Sequence, residues 1–295
     1  MRFLNGMLPT VDLSYDDVFM VPSRSSIASR MDVDLCTQDG SGTTIPIVVA
    51  NMTAVSGRRM AETVARRGAL AVIPQDIPVD VVAEVVEFVK SRHLIHDTPV
   101  TLSPTSTVAD ALGLLPKRAH GAAVVLDGDR RPIGVVTEAD LDSVDRFTQL
   151  ERVMSREVAT IPQDIDPEAA FERLGEVRHR LAPAIDSQGR LVGLLTRQGA
   201  LRATLYRPAL DEHQRLRVAA ACGIGGDVAR RAASLVDAGI DVLVLDTAHG
   251  HQSRMLDALR AIRAEALDIP VVAGNVVAAD GVRDLVEAGD RKSVV

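Results

Sequence analysis

The chain has 295 residues, 46% of them apolar and 25% charged, with a formal net charge of −7. The length is a soft prior for two domains with a sizeable core, and the acidic balance argues against a nucleic-acid surface. Two Tyr, five Phe and no Trp leave no platform for stacking bases, and two distant cysteines, Cys36 and Cys222, fit a reducing, cytoplasmic setting better than a disulfide framework. Residues 1–10 hold one Arg and no long apolar stretch, so no signal peptide is expected, and no apolar run reaches the roughly 18 residues of a membrane span.

Residues 45–50, Ile-Pro-Ile-Val-Val-Ala, read as a buried strand with Asn51-Met52 at its C-terminal end. Ser56 is placed to cap a helix that runs to about Arg67 and stops at Gly68. Residues 69–73 are the next strand, and 78–90 carry the helical stripe Val81, Val82, Val85, Val86 and Val89. This β-α-β-α order predicts a parallel sheet.

The rhythm then breaks. From about His96 to Tyr206 the chain repeats itself at an offset of 59 residues. Gly134-Val135-Val136-Thr137 matches Gly193-Leu194-Leu195-Thr196, Asp127 matches Asp186, Thr101 matches Thr160, and Ala111-Leu112 matches Ala170-Phe171. Each copy reads as strand, helix, two strands, helix. Gly-x-x-Thr-x-x-Asp after paired strands resembles the CBS motif, so residues 95–206 are expected to be an inserted α+β CBS pair (95–150 and 151–206). In the first copy Thr137 and Asp140 stand at i and i+3 on a first helical turn and could hold the ribose hydroxyls of an adenine nucleotide; a purely structural pair is the alternative. The second copy has Gly199 at the Asp position, which places any adenylate site in the first copy.

After the insert the β/α rhythm returns: strands at 216–221, 241–245 and 270–273 alternate with helices at 227–238, 253–266 and 278–288. Residues 1–94 and 207–295 together give five strand-helix units, whereas a closed (β/α)8 barrel of TIM type needs eight. The expected fold is therefore α/β, an incomplete TIM-type barrel with an inserted domain.

Two segments concentrate the polar residues. Leu245-Asp246-Thr247-Ala248-His249-Gly250-His251 and Val272-Ala273-Gly274-Asn275-Val276 are apolar runs that end in polar and glycine residues before a helix, about thirty residues apart. On its residues alone Asp246 is either the cap of the following helix or a carboxylate accepting ribose hydroxyls. Gly274-Asn275 is either a turn or a partner of Asp246 at the same mouth. His249 and His251 stand two apart with no further ligand at zinc spacing, so no metal is expected.

The wording of both segments resembles the IMP dehydrogenase/GMP reductase family, over about residues 10–94 and 207–289. The resemblance implies redox chemistry at C2 of a purine nucleotide: a cysteine thiolate adds to C2 and hydride passes to or from NAD or NADP. It assigns Asp246, Thr247 and Asn275 to the cofactor, and Asn51, Met52 and Gly274 to the substrate, with Met52 packed on the purine. It also implies a homo-tetramer or octamer and a monovalent cation for the full-length form. Ala50-Asn51-Met52 is the wording of the GMP reductase branch, so GMP with NADPH giving IMP and ammonia is favoured over IMP dehydrogenase, or over a non-catalytic sensor of adenine nucleotides. Leu13 to Pro22 resembles the family's N-terminal strand segment, although Asp16-Asp17 read as solvated or capping acids. Thr53-Ala54 stands where Asp-Thr is frequent, and Pro74-Gln75 where His-Lys is common, so an acid and a lysine are missing. Neither Cys36 nor Cys222 lies in the family's Gly-Ser-x-Cys-Thr loop, so no catalytic residue is assigned. Residues 290–295, Asp-Arg-Lys-Ser-Val-Val, break the strand pattern, and the chain as written is expected to be a truncated, inactive copy.

Overall fold

The computed structural model describes residues 6, 10–11, 13–176 and 180–289. The leader reading of residues 1–10 and the tail reading of 290–295 fall mostly or wholly outside the described residues. The chain divides into two compact units, Met1–Leu35 and Cys36–Val295. Among the described residues, no helix is long and apolar enough to cross a membrane.

The first unit has short 3-10 turns at Tyr15–Asp17 and Arg30–Asp32 and, among its described residues, no strand. The strand expected within 13–22 is therefore replaced by a turn. Asp17 Oδ2 accepts from Ser14 N at 2.7 Å and from Ser14 Oγ at 2.8 Å, a local bond that competes with extended pairing. Asp17 is thus a capping acid, as its sequence context suggested.

The second unit opens with β1 (Val48–Val49), α1 (Arg58–Ala65), β2 (Leu70–Ile73) and α2 (Val79–Lys90). β1 is shorter and more exposed than expected: Ile47 is 55% and Val48 58% exposed. Pro46 has no N–H to give, and Ile47 N turns back to Ile45 O at 2.8 Å, so only two residues remain to pair with β2. The α1 cap also differs. Gly57 is the N-cap, and the Ser56 hydroxyl is buried without a hydrogen-bond partner among the described residues. Gly68 ends this turn as expected, at φ +88°, and a Cβ there would lie 1.8 Å from Thr44 Oγ1.

The insert is a structural duplication. Its first half is β3 (Val100–Leu102), α3 (Val108–Leu114), β4 (Ala122–Leu126), β5 (Pro132–Thr137) and the short α4 (Glu138–Leu141). Its second half is β6 (Ile161–Pro162), α5 (Pro167–Glu176), β7 (Leu181–Ile185), β8 (Leu191–Thr196) and α6 (Arg197–Leu205). In each half the first strand pairs parallel and the third antiparallel to the middle one. The irregularities at Val125/Leu126 and Ala184/Ile185 fall at equivalent positions, 59 residues apart. Val124, Leu191 and Leu194 form a buried cluster shared by the halves.

The chain then adds β9 (Ala219–Gly223), α7 (Val228–Asp237), β10 (Val242–Asp246), α8 (Ser253–Ala264), β11 (Val271–Gly274) and α9 (Ala279–Glu287). The sheet order is β1-β2-β9-β10-β11, parallel throughout. Alternation splits the core: Ala71, Ile73, Ala220, Cys222, Leu243 and Leu245 join the large cluster with the helices, while Leu70, Val72, Ala219, Ala221 and Val242 form a second cluster. A parallel sheet buried on both faces is what the near-continuous apolar strands demand.

Candidate active site at the strand ends

The polar residues gather where the strands end. Asp246 is the last residue of β10 and lies in register between Gly223 of β9 and Gly274 of β11. Asn51, just after β1, donates Nδ2 to Asp246 Oδ2 at 2.8 Å. Gln75, just after β2, reaches the same oxygen with Nε2 at 3.4 Å. Both donors go to Oδ2, and Oδ1 receives no hydrogen bond among the described residues. A cap of α8 would need Asp246 beside Ser253, but the N-cap there is Gln252. The capping alternative for Asp246 is therefore ruled out by position.

The loop after Asp246 is fastened to the end of β11. Thr247 N donates to Gly274 O at 2.9 Å, Asn275 N to Thr247 O at 2.8 Å, and Gly250 N to Asn275 O at 2.7 Å. Gly250 must lack a side chain, because a Cβ there would lie 2.7 Å from Asn275 O. Gln252 Nε2 holds His249 O at 2.6 Å, and His251 Nε2 pairs with Asp284 Oδ2 on α9 at 2.8 Å. His251 is thus a tether between loop and helix.

The fold brings together Asn51, Asp246, Thr247, Gly274 and Asn275. Met52 follows Asn51 and is 58% exposed, available to an apolar ligand face. Thr137 and Asp140 sit apart, in the insert, where Asp140 Oδ2 accepts from Thr137 N and Oγ1, both at 2.7 Å, as a capping box. Gln75 joins the site although its sequence context marks it only as standing where lysine is common in the family. Its placement directly after a strand that is parallel to β10 was the available signal. Gly223 makes room for it, since a Cβ there would meet Gln75 Oε1 at 2.6 Å.

The residues suit a hydroxyl-bearing ligand. Asp246 is a carboxylate oriented by neutral amides, with one oxygen left to accept from a hydroxyl. No nucleophile is among these groups. Cys222 is buried in the helix-facing core, and burial pushes its thiol pKa up, away from a reactive thiolate. Cys36 lies elsewhere, its Sγ accepting from Arg207 Nη2 at 3.1 Å.

The IMP dehydrogenase / GMP reductase domain model matches residues 12–293. The chain belongs to the IMP dehydrogenase/GMP reductase family. Over 290 residues, 98% of this chain, it is 55% identical to a GMP reductase of Mycobacterium tuberculosis, of which it covers 60%. An inosine-5'-monophosphate dehydrogenase of Aquifex aeolicus is 36% identical over 284 residues, 94% of this chain and 58% of that protein. Among solved structures, GMP reductase from Trypanosoma brucei in complex with guanosine 5'-triphosphate superposes with a TM-score of 0.60 at 27% identity, covering 98% of this chain and 72% of that one. The chain therefore spans about 60% of the length of the curated relatives it matches.

Proposed function

We propose that this sequence carries part of an NAD(P)-dependent purine nucleotide oxidoreductase acting at C2, of the GMP reductase type: GMP, NADPH and two protons give IMP, NADP and ammonium. The observation that carries the reading is the Asp246 carboxylate, held by Asn51 and Gln75 from two other strands. Ala50-Asn51-Met52 and the 55% identity to a GMP reductase favour this direction over IMP dehydrogenase, whose relatives stand at 36%.

In this reading Asp246 Oδ1 accepts a ribose hydroxyl of the cofactor, Thr247 and Asn275 fix the loop around it, and Asn51, Met52 and Gly274 face the nucleotide. The cofactor supplies or takes hydride when bound; the chain's own residues orient it. The full-length assembly is a homo-tetramer or octamer, with a monovalent cation as a further component.

The duplicated insert, in the same reading, is a CBS pair that binds an adenine nucleotide through Thr137 and Asp140. Its matching topology in both halves supports this, and a solved GMP reductase in complex with guanosine 5'-triphosphate is similar over 98% of the chain. Calorimetry with ATP tests it: Asp140→Ala should weaken binding by about 1.5–3 kcal/mol.

The test of the main reading is a pair of assays on the protein carrying this sequence at the length of its relatives. GMP-dependent oxidation of NADPH should be well above IMP-dependent reduction of NAD. The opposite ratio would make the protein a dehydrogenase, and no turnover of either would favour a non-catalytic sensor.

A further inference from the structure

Strand β10 carries a carboxylate at each end, and the fold treats the two differently. Asp241, just before the strand, has Lys90 Nζ at 3.0 Å. Asp246, at its other end, is half-buried, and its two hydrogen-bond donors among the described residues, Asn51 and Gln75, are neutral amides. The first carboxylate is neutralised and the second keeps its charge. Holding an unpaired carboxylate partly out of water costs free energy, a cost that a cationic ligand offsets.

The surrounding loops supply no counter-charge of their own. The five strand-to-helix loops, residues 50–57, 74–78, 224–227, 247–252 and 275–278, contain neither Lys nor Arg, and they add the acids Asp76 and Asp227. Arg231 reaches this end from α7, but through backbone: its Nη2 donates to Gln75 O at 2.7 Å and to Ile77 O at 2.9 Å. That grip fixes the Gln75 backbone beside Asp246. A basic side chain on the same backbone would make an ion pair there; the amide makes a hydrogen bond and leaves the charge. Of the two histidines on the Asp246 loop, His251 faces Asp284 at 2.8 Å and His249 is exposed.

We propose that Gln75 is a specificity-determining residue: by giving Asp246 a neutral partner, it makes this mouth favour the oxidised, cationic form of a nicotinamide cofactor over the neutral reduced form. The inference rests on the reading that Asp246 accepts a ribose hydroxyl of the cofactor. The two forms share their phosphates, sugars and adenine and differ in the charge of the nicotinamide ring. The ratio of their dissociation constants therefore isolates what the Asp246 charge contributes.

Calorimetry with NADP and with NADPH tests this on the protein carrying this sequence at the length of its relatives, at low salt and about pH 8, above the ordinary imidazole range. Gln75→Lys should weaken NADP relative to NADPH by about tenfold, because the ammonium neutralises Asp246. Asp246→Asn removes the charge and keeps the shape; it should move the ratio in the same direction by a similar factor, and it carries the test should Gln75→Lys not fold. Gln75→Met removes the hydrogen bond without adding charge, so it should weaken both forms alike and leave the ratio within about twofold. A ratio unchanged in Gln75→Lys or in Asp246→Asn overturns the inference, and so does a ratio moved as far by Gln75→Met as by Gln75→Lys. If Asp246→Asn then still weakens both forms, the cofactor role of Asp246 stands without it. A parent that binds neither form, or an Asp246→Asn variant that binds both as the parent does, overturns that role and the inference together.

Discussion

Asn51 Nδ2 lies 2.8 Å from Asp246 Oδ2, although β2 and β9 stand between their strands in the sheet. In a flat sheet three inter-strand steps would hold β1 and β10 about 14 Å apart. Two side chains this short cannot span that distance, so the sheet curls and turns its strand C-termini toward one mouth. This is the curvature of a parallel half-barrel, and it gathers these polar residues at the end where (β/α)8 proteins place their sites.

Asn51 should therefore act through Asp246. Asn51→Ala should lower kcat/KM about tenfold, some 1.4 kcal/mol, with little change in melting temperature. Asn51→Asp should do more harm at neutral pH, because an ionised carboxylate donates nothing to Asp246 and repels it, and can replace the amide donor only once protonated. Its pH–rate profile should shift toward acid relative to Asn51→Ala. Superimposable profiles for the two variants would contradict the pairing.

Gly250 offers a steric test of the same mouth. A Cβ at Gly250 meets the backbone oxygen of Asn275, whereas one at Gly225 meets nothing within 4 Å. Gly250→Ala should displace the loop between Asp246 and Asn275 and raise the KM for cofactor about tenfold or more, while Gly225→Ala leaves kinetics near the parent's. Equal kinetics for both would show that the loop's fastening does not matter to the ligand.

The junction between α1 and the insert predicts a pH dependence of stability. Burial alone would raise the Glu62 pKa, but Arg66, Thr98 and Arg118 outweigh it and hold the carboxyl below its ordinary range. A folded pKa below the unfolded one gives stability that is present above about pH 4.5 and is lost as the pH falls through the folded value. His93 acts at higher pH. Burial, then the neighbouring His96, lowers its pKa from 6.5 to about 4, so the fold holds it neutral. The unfolded chain takes up that proton first, and stability should decline between pH 6.5 and 4. Melting temperatures should follow both windows, with His93→Gln shrinking the upper one, to which His96 and His120, their pKa values also lowered by burial, contribute in the same direction. Glu62→Ala should cost about 3–5 kcal/mol at neutral pH, since it leaves buried guanidinium charge unpaired. A flat profile for the parent from pH 7 to 4 would contradict these assignments.

Much of this arrangement was legible from residue types. The apolar runs and glycine stops marked the strands and helices after the insert to within about three residues, and the 59-residue offset marked equivalent strands β4 and β7, β5 and β8. Asp246 and Gly274 were legible because each ends an apolar run. What local pattern could not give was anything set by contacts distant in sequence. β1 is short because Pro46 and the Ile45–Ile47 turn interrupt it. Ser56 is one residue too early to cap α1. Gln75 matters only because the curled sheet carries it to Asp246, and Glu62 reads as an ordinary helix-surface acid until Thr98 and Arg118 arrive from the insert.

The most direct test of the account is Asp246→Asn in the protein carrying this sequence at the length of its relatives, measured for kcat/KM with GMP and NADPH and for melting temperature. Asn keeps the shape and loses the charge that orients a ribose hydroxyl. We predict a loss of roughly 2–4 kcal/mol in transition-state binding, about 30- to 1,000-fold in kcat/KM, with the melting temperature unchanged. Near-normal kinetics in the Asn variant would contradict a cofactor role for Asp246 and, with it, the assignment of this mouth as the active site.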